Sequence, residues 1–198
     1  MTKKTAVIFG AHGGIGAAVR EAFLDAGYTV VPLNRNSVDF AQPDADKKVN
    51  TLLTVDPDVI VNCTGLFDPT NTETYNKTFD VNVGSNWIIL QHYINNPAVK
   101  PVKIIMVGSS AYKSGRRDYI LYAASKAALY TVWQGACEYF KGRTVTLGLI
   151  NPVRTRTPMI DIKTSAVCLE PEDVAQEIVS MASHKDNQLV DMKYPEGN

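Results

Sequence analysis

The 198 residues include 45% hydrophobic and 20% charged side chains, ordinary proportions for one soluble globular domain with a substantial core. Twenty basic and twenty acidic residues cancel, which removes any overall electrostatic case for nucleic acid or an anionic membrane surface. The apolar run Ala6–Phe9 is too short for a signal peptide or a spanning helix, so a cytoplasmic protein is expected; Cys63, Cys137 and Cys168 are too scattered for a disulfide framework or a metal site and read as buried free thiols.

In chain order, Thr5–Phe9 reads as a buried strand and runs into Gly10-Ala11-His12-Gly13-Gly14-Ile15-Gly16. Beyond it, Ile15, Val19, Ala22 and Phe23 recur at helical spacing, with Gly27 placed to stop the helix. Strand, glycine-rich turn and helix together predict a phosphate site. Glycines permit the tight turn and a close backbone approach, and the helix N-terminus offers free N–H donors with a partial positive charge. His12 is expected to offer its backbone N–H, not a titrating side chain. Tyr28–Leu33 is the second strand, followed by Asn34-Arg35-Asn36-Ser37. An NAD site usually has an acidic residue here to bond the ribose 2′-hydroxyl. Arg35 can instead pair with a 2′-phosphate, which favours NADP(H) over NAD(H), unless it is simply a solvated loop residue. Val38-Asp39-Phe40 follows so early that a third strand and its helix look abbreviated, and Asp46–Val55 supplies a short helix. Asp58–Asn62 is a fourth strand leading to Cys63-Thr64-Gly65.

Asn76–Asn95 carries a helical stripe of Phe79, Val83, Trp87, Leu90 and Ile94, with Asn82 inside it and His92 on the surface. Val102–Val107 is a fifth strand. Gly108-Ser109-Ser110 follows at its carboxyl end, where open parallel sheets place ligands. The next loop carries Lys113, Arg116 and Arg117, which read as solvated unless an acidic substrate meets them. In Tyr122-Ala123-Ala124-Ser125-Lys126 the first and last residues share one helix face. A phenol titrates near pH 10, and an ammonium within about 4 Å would favour the phenolate by roughly 4 kcal/mol at a surface-like dielectric, about three pKa units. Such a pair arises by chance in about every second chain of this composition, so it gains weight only from its setting. The helix runs to about Lys141 and includes Trp133. Arg143–Ile150 is a sixth strand, followed by Asn151-Pro152-Val153-Arg154-Thr155-Arg156-Thr157-Pro158-Met159, a final helix over Glu172–Ser183 and an edge strand over Gln188–Tyr194.

These stretches, in this order, resemble the short-chain dehydrogenase/reductase family. Gly10-x-x-x-Gly14-x-Gly16 is similar to its Thr-Gly-x-x-x-Gly-Ile-Gly fingerprint, with Phe9 in place of threonine. Asn62-Cys63-Thr64-Gly65 keeps the first and last residues of Asn-Asn-Ala-Gly. Tyr122–Lys126 is close to Tyr-x-Ala-Ser-Lys, and Thr157 is in register with Pro-Gly-x-x-x-Thr although Val153 replaces the glycine. The resemblance implies an α/β fold, a Rossmann-type doubly wound parallel sheet of six to seven strands in a single three-layer α/β/α domain. Its cofactor half covers about 1–100 and its catalytic and substrate half about 101–198. It implies hydride transfer between NADP(H) and a carbonyl or secondary alcohol.

The catalytic set implied is Asn82 holding a relay water, Ser110 (the second of the pair, with Ser109 as alternative), Tyr122 as acid–base, and Lys126 lowering the tyrosine pKa and holding the ribose. Cofactor contacts are expected from Gly10, His12, Gly13, Gly14, Ile15, Gly16, Asn34, Arg35, Asp39, Phe40, Cys63, Thr64, Gly65, Tyr122, Lys126, Pro152, Val153, Thr155 and Thr157, with no metal. Homodimer or homotetramer contact is expected through the helices of Trp87 and Trp133. The rival from another class is a nucleotide-binding regulator or scaffold that kept the fold and lost turnover. A sugar-nucleotide epimerase is disfavoured, because about 40 residues after the sixth strand cannot build its larger substrate domain.

Overall fold

Short apolar runs whose side chains alternate between two faces decide the architecture. In the computed structural model, which describes residues 3–68, 70, 72–159 and 167–194, six such runs form one sheet. They are β1 (Thr5–Phe9), β2 (Thr29–Leu33), β3 (Val59–Asn62), β4 (Val102–Val107), β5 (Val145–Asn151) and β6 (Gln188–Asp191). Their spatial order is β2-β1-β3-β4-β5-β6, and every neighbouring pair is parallel. The helices are α1 (Gly14–Asp25), α2 (Ala45–Leu52), α3 (Tyr75–Phe79), α4 (Ser85–Asn95), α5 (Ile120–Tyr139) and α6 (Pro171–Ser183).

A parallel sheet must be covered on both faces, and the two cores show how. On one face Val7, Phe9, Ile60, Ile104, Met106, Leu147 and Leu149 pack with Val49 of α2, Ile89 and Leu90 of α4, and Leu129 and Ala136 of α5. On the other, Ala6, Ile8, Val61, Ile105 and Ile150 pack with Val19 and Phe23 of α1 and Val174, Ile178 and Met181 of α6. Each fully buried Phe, Ile or Leu contributes about 1.5–3 kcal/mol, so these layers dominate folding. A capping box between Glu170 and Asp173, with proline in the first turn, starts α6 where the sequence predicts it.

Three expectations are corrected. No third strand forms around Val38-Asp39-Phe40. Val38 and Phe40 are buried, but in turns, with the Phe40 ring 5.7 Å from that of Phe9. β2 is therefore an edge strand, which is why it tolerates Pro32. The helix over 76–95 is not continuous: Asp80–Gly84 form a π-helical turn between α3 and α4. None of the three cysteines is in a disulfide among the described residues, as expected, but they are partly rather than fully buried.

The chain leaves β1 for β2 on one side and then crosses to β3 on the other. At such a reversal the loops diverge, and a crevice opens beyond the carboxyl ends of the strands. The glycine turn, Cys63-Thr64-Gly65, Ser109 and the Pro152–Thr157 segment all lie at those ends. The loop beyond Thr157, where substrate contacts are expected, lies over 160–166 outside the described residues. Among the described residues no helix is long and apolar enough to cross a membrane.

Candidate active site

The glycine turn is shaped by what cannot be there. Gly10 has φ +73°, the left-handed region, and a Cβ on it would sit 3.0 Å from the backbone of Cys63 and Thr64. A Cβ on Gly16 would lie 2.0 Å from the Gly10 carbonyl oxygen, and one on Gly14 would lie 2.6 Å from the Thr157 side chain. No side chain caps the α1 N-terminus at Gly13, which leaves first-turn N–H groups for an anion. The turn thus fits a pyrophosphate, and Thr157 is the residue of the post-β5 loop that lies against it.

Beside this turn is a cleft of about 320 Å3 whose lining includes Gly10, His12, Gly13, Arg35, Asp39 and Cys63. Asn34, Phe40, Thr64 and Gly65 complete the expected set there. The Asn34 carboxamide oxygen accepts from the N–H groups of Asn36 (2.9 Å) and Ser37 (3.2 Å). Its side chain therefore shapes the turn, and Arg35 stays exposed at the mouth. Beneath, Thr64 Oγ1 donates to Asn62 Oδ1 (2.6 Å) and Asn62 Nδ2 donates to Ser85 Oγ (2.9 Å), which ties the floor to α4.

A second cleft, of about 330 Å3, shares Met159 with the first and is lined by Ile15, Ser109, Ser110, Tyr122, Pro152, Val153, Thr155 and Thr157 among others. The first turns of α5 present Tyr122 and Lys126 on one face. The Tyr122 ring meets Phe67 edge-on at 5.0 Å and Tyr119 at 5.9 Å, an aromatic wall the sequence does not announce. Tyr122 and Ser109 line the same cleft, and the Ser109 side chain is the group whose hydrogen bonding opposes the rise in the phenol's pKa. Both serines line this cleft, and the electrostatics favour the alternative, Ser109, thirteen positions before Tyr122, over Ser110. The signal that could have found it is this spacing, since thirteen is the separation usual in the resembled family.

Lys126 lies one helical turn beyond Tyr122. It is buried, its Nζ donates to the Val107 carbonyl (2.9 Å), and it stands 5.6 Å from the Tyr122 ring centroid. Burial holds its pKa down to about 8, with the Cys63 thiol opposing that shift. The Tyr122 pKa is raised, not lowered, because burial outweighs the Ser109 hydrogen bond, and Tyr119 adds to the rise. Cys63, standing where the family pattern has asparagine, is pushed up to about 12 by burial and stays a neutral thiol despite Lys126.

Asn82 sits in the π-helical turn and is fully buried. The wider turn carries its amide inward, a distortion common where a helix serves a site. Its Oδ1 accepts from Leu66 N–H (2.7 Å), and its Nδ2 donates to Leu66 O (2.9 Å) and Ser125 Oγ (2.9 Å). Ser125 Oγ donates in turn to Tyr122 O (2.8 Å). The Asn82 side chain clamps the loop after β3 to α5. Thr155 is buried with its hydroxyl on Val153 O (3.0 Å), which leaves Thr157 facing the glycine turn. Arg116 and Arg154 line the second cleft, and among the described residues no acidic residue lines it and neither arginine has an ion-pair partner.

Comparison with known proteins agrees with this geometry. The short chain dehydrogenase family matches residues 47–166. The bifunctional ribulose 5-phosphate reductase/CDP-ribitol pyrophosphorylase Bcs1 of Haemophilus influenzae is 25% identical over 209 residues, covering 97% of this chain but only 44% of that protein. Among solved structures, the 3-alpha-hydroxysteroid dehydrogenase of Pseudomonas sp. B-0831 complexed with NADH superposes with a TM-score of 0.82 at 19% identity, over 96% of this chain and 95% of that one. ElxO with NADP bound gives 0.82 at 21% identity, over 96% and 97%. At such identities the two structures speak for the fold. The family match spans β3 through β5, the part of the chain that carries Ser109, Tyr122 and Lys126, and on it this chain belongs to the short-chain dehydrogenase family of oxidoreductases.

Proposed function

We propose that the protein transfers hydride between NADP(H) and a carbonyl or secondary alcohol, with Tyr122 as acid–base and Ser109 as its partner. The observation that carries this reading is the convergence of Tyr122 and Ser109 on one cleft whose lining continues past Thr157 to the glycine turn. The glycine turn with the lining of the two clefts would hold a nicotinamide dinucleotide, which would supply or accept the hydride. Tyr122 gives its proton to the carbonyl oxygen, or takes one from the hydroxyl, while Ser109 hydrogen-bonds that oxygen. Lys126 holds the ribose, and Asn82 keeps α5 and the loop after β3 in register. The first half of the chain binds cofactor and the second half carries chemistry, within one domain.

The NADP preference is supported by Arg35, exposed in the first cleft where a 2′-phosphate would lie, with NAD(H) as the weaker cofactor. Arg116 and Arg154 favour a carbonyl substrate that carries an anionic group. The Haemophilus relative is named for such a compound, ribulose 5-phosphate. The reading includes a cytoplasmic homodimer or homotetramer. Trp87 of α4 is 46% exposed, whereas Trp133 packs on the sheet-face core, so Trp87 is the stronger support for a contact between copies.

Tyr122→Phe should abolish turnover across a carbonyl panel while NADPH titration still shows binding. Undiminished turnover would overturn the assignment, and wild-type binding without turnover on any panel member would favour the scaffold reading. Arg35→Ser should weaken NADPH about tenfold and leave NADH within about twofold; equal weakening of both would refute the preference.

A further inference from the structure

Asn151, the last residue of β5, is buried and bridges two elements distant in sequence. Its Oδ1 accepts the backbone N–H of Ser109 (3.1 Å), and its Nδ2 donates to Asp191 Oδ1 (3.1 Å) at the end of β6. The other Asp191 oxygen accepts from the Tyr112 hydroxyl (3.0 Å) and pairs with Lys113 Nζ (2.7 Å). These partners fix the amide without ambiguity: only the oxygen can accept an N–H, and only the NH2 can donate to a carboxylate. A flipped amide would oppose oxygen to carboxylate and N–H to N–H.

The bridge acts where the chain leaves β4. A Cβ on Gly108 would sit 2.0 Å from Asn151 Oδ1, so the asparagine lies directly over the residue that precedes the serine. Ser109 itself is extended (φ −170°, ψ 148°), and its Oγ accepts from Ala111 N–H (3.2 Å) as the next turn begins. Tyr112 and Lys113, the end of that turn, return to Asp191. Ser109 is thus held from both sides by one network, at its own N–H through Asn151 and at the following turn through Asp191. We propose that Asn151 and Asp191 are positioning residues that select Ser109 over Ser110 as the hydroxyl facing Tyr122. This rests on the reading of Ser109 and Tyr122 given above. Neither residue touches the phenol, and Lys113 belongs to this network rather than to a solvated cluster.

The experiment uses the full chain with a carbonyl that the wild type reduces with NADPH. Asn151→Asp opposes two carboxylates and should lower kcat about tenfold or more, toward the loss seen when a transition-state donor is removed. KM and the NADPH Kd should stay within about twofold. The tyrosine limb of the pH–kcat profile should move to higher pH, because a displaced Ser109 no longer favours the phenolate. The exchange Asn151→Asp with Asp191→Asn restores an acceptor for Ser109 N–H and a donor between the two positions, and should recover most of kcat and return the limb. Asp191→Ala, at the sheet edge, is the second probe should Asn151→Asp not fold, and should move the limb in the same direction. An unmoved limb, or a double variant no better than the singles, overturns the proposal. Turnover surviving in Tyr122→Phe would instead sink the underlying reading, so the two failures are distinct.

Discussion

The two ends of the crevice are built from different material. The cofactor end is mostly backbone: Gly10, Gly14 and Gly16 matter because a Cβ at each would strike Cys63, Thr157 or the Gly10 carbonyl. The proposed catalytic end is mostly side chains, with Lys126, Asn82 and Asn151 making hydrogen bonds that span from 16 to 43 positions of sequence. A backbone site is specified by residues that lack something, and its tolerance to substitution is set by sterics. A side-chain site is specified by partners, and its tolerance is set by how many partners hold each group. The first should therefore fail abruptly and the second by degrees.

Gly16→Ala puts this contrast to its harshest test. Its Cβ would meet backbone at 2.0 Å, where no flexible side chain can yield. NADPH binding should fall beyond detection and the fold should lose about 3 kcal/mol, at the upper end of overpacking costs. Gly135→Ala on α5 is the control: nothing lies within 4 Å of its Cβ, and a helix interior favours alanine by about 0.5–1 kcal/mol. Thermal melts and fluorescence titration read both; a Gly16→Ala protein that binds NADPH normally would show that the turn is not a backbone cradle.

Ser109→Ala and Ser110→Ala compare neighbours at the other end. Removing a donor from a reacting oxygen costs about 10²–10³ in kcat, and of the two serines it is Ser109 whose hydrogen bonding bears on the Tyr122 phenol. Ser110→Ala should stay within about threefold of wild type, because its neighbour keeps that bond. Equal losses would place both serines on the reacting oxygen and dissolve the distinction.

The same division explains what was legible in the sequence. Strands β1, β3, β4 and β5 are continuous apolar runs because a parallel sheet is covered on both faces, so their limits can be read within a residue or two. The glycine turn is legible because absence of a side chain is itself a sequence feature. Val38 and Phe40 misled, since buried apolar residues look the same in a turn as in a strand. The π-helical turn at Asp80–Gly84 is hidden because one extra residue in a turn leaves the apolar stripe nearly intact. Ser109 and Ser110 could not be told apart by residue type. Their spacing to Tyr122 is the one sequence signal, whereas the Asn151 contact to the Ser109 N–H, 42 positions away, is visible only in three dimensions.

Lys126 offers the smallest effect and the finest cut, because it serves both ends at once. In the cofactor-free protein burial holds it down to about 8, against an ordinary value of 10.5. The folded chain therefore disfavours its charged form, and the penalty on stability is full below about 8 and fades as pH rises toward 10.5, where the unfolded chain also loses the proton. Cofactor binding runs the other way, since ribose oxygens and nearby phosphates favour the ammonium. Above pH 8 binding must take up a proton, and the NADPH Kd should weaken about tenfold by pH 9. Cys63, pushed up to about 12, stays neutral throughout and cannot imitate this change. Lys126→Met should bind more weakly at pH 7 but with a profile flat from pH 7 to 9, measured by NADPH fluorescence. A wild-type profile equally flat would mean that the lysine already carries its full charge in the empty site, and that its bond to the Val107 carbonyl, not burial, sets its titration.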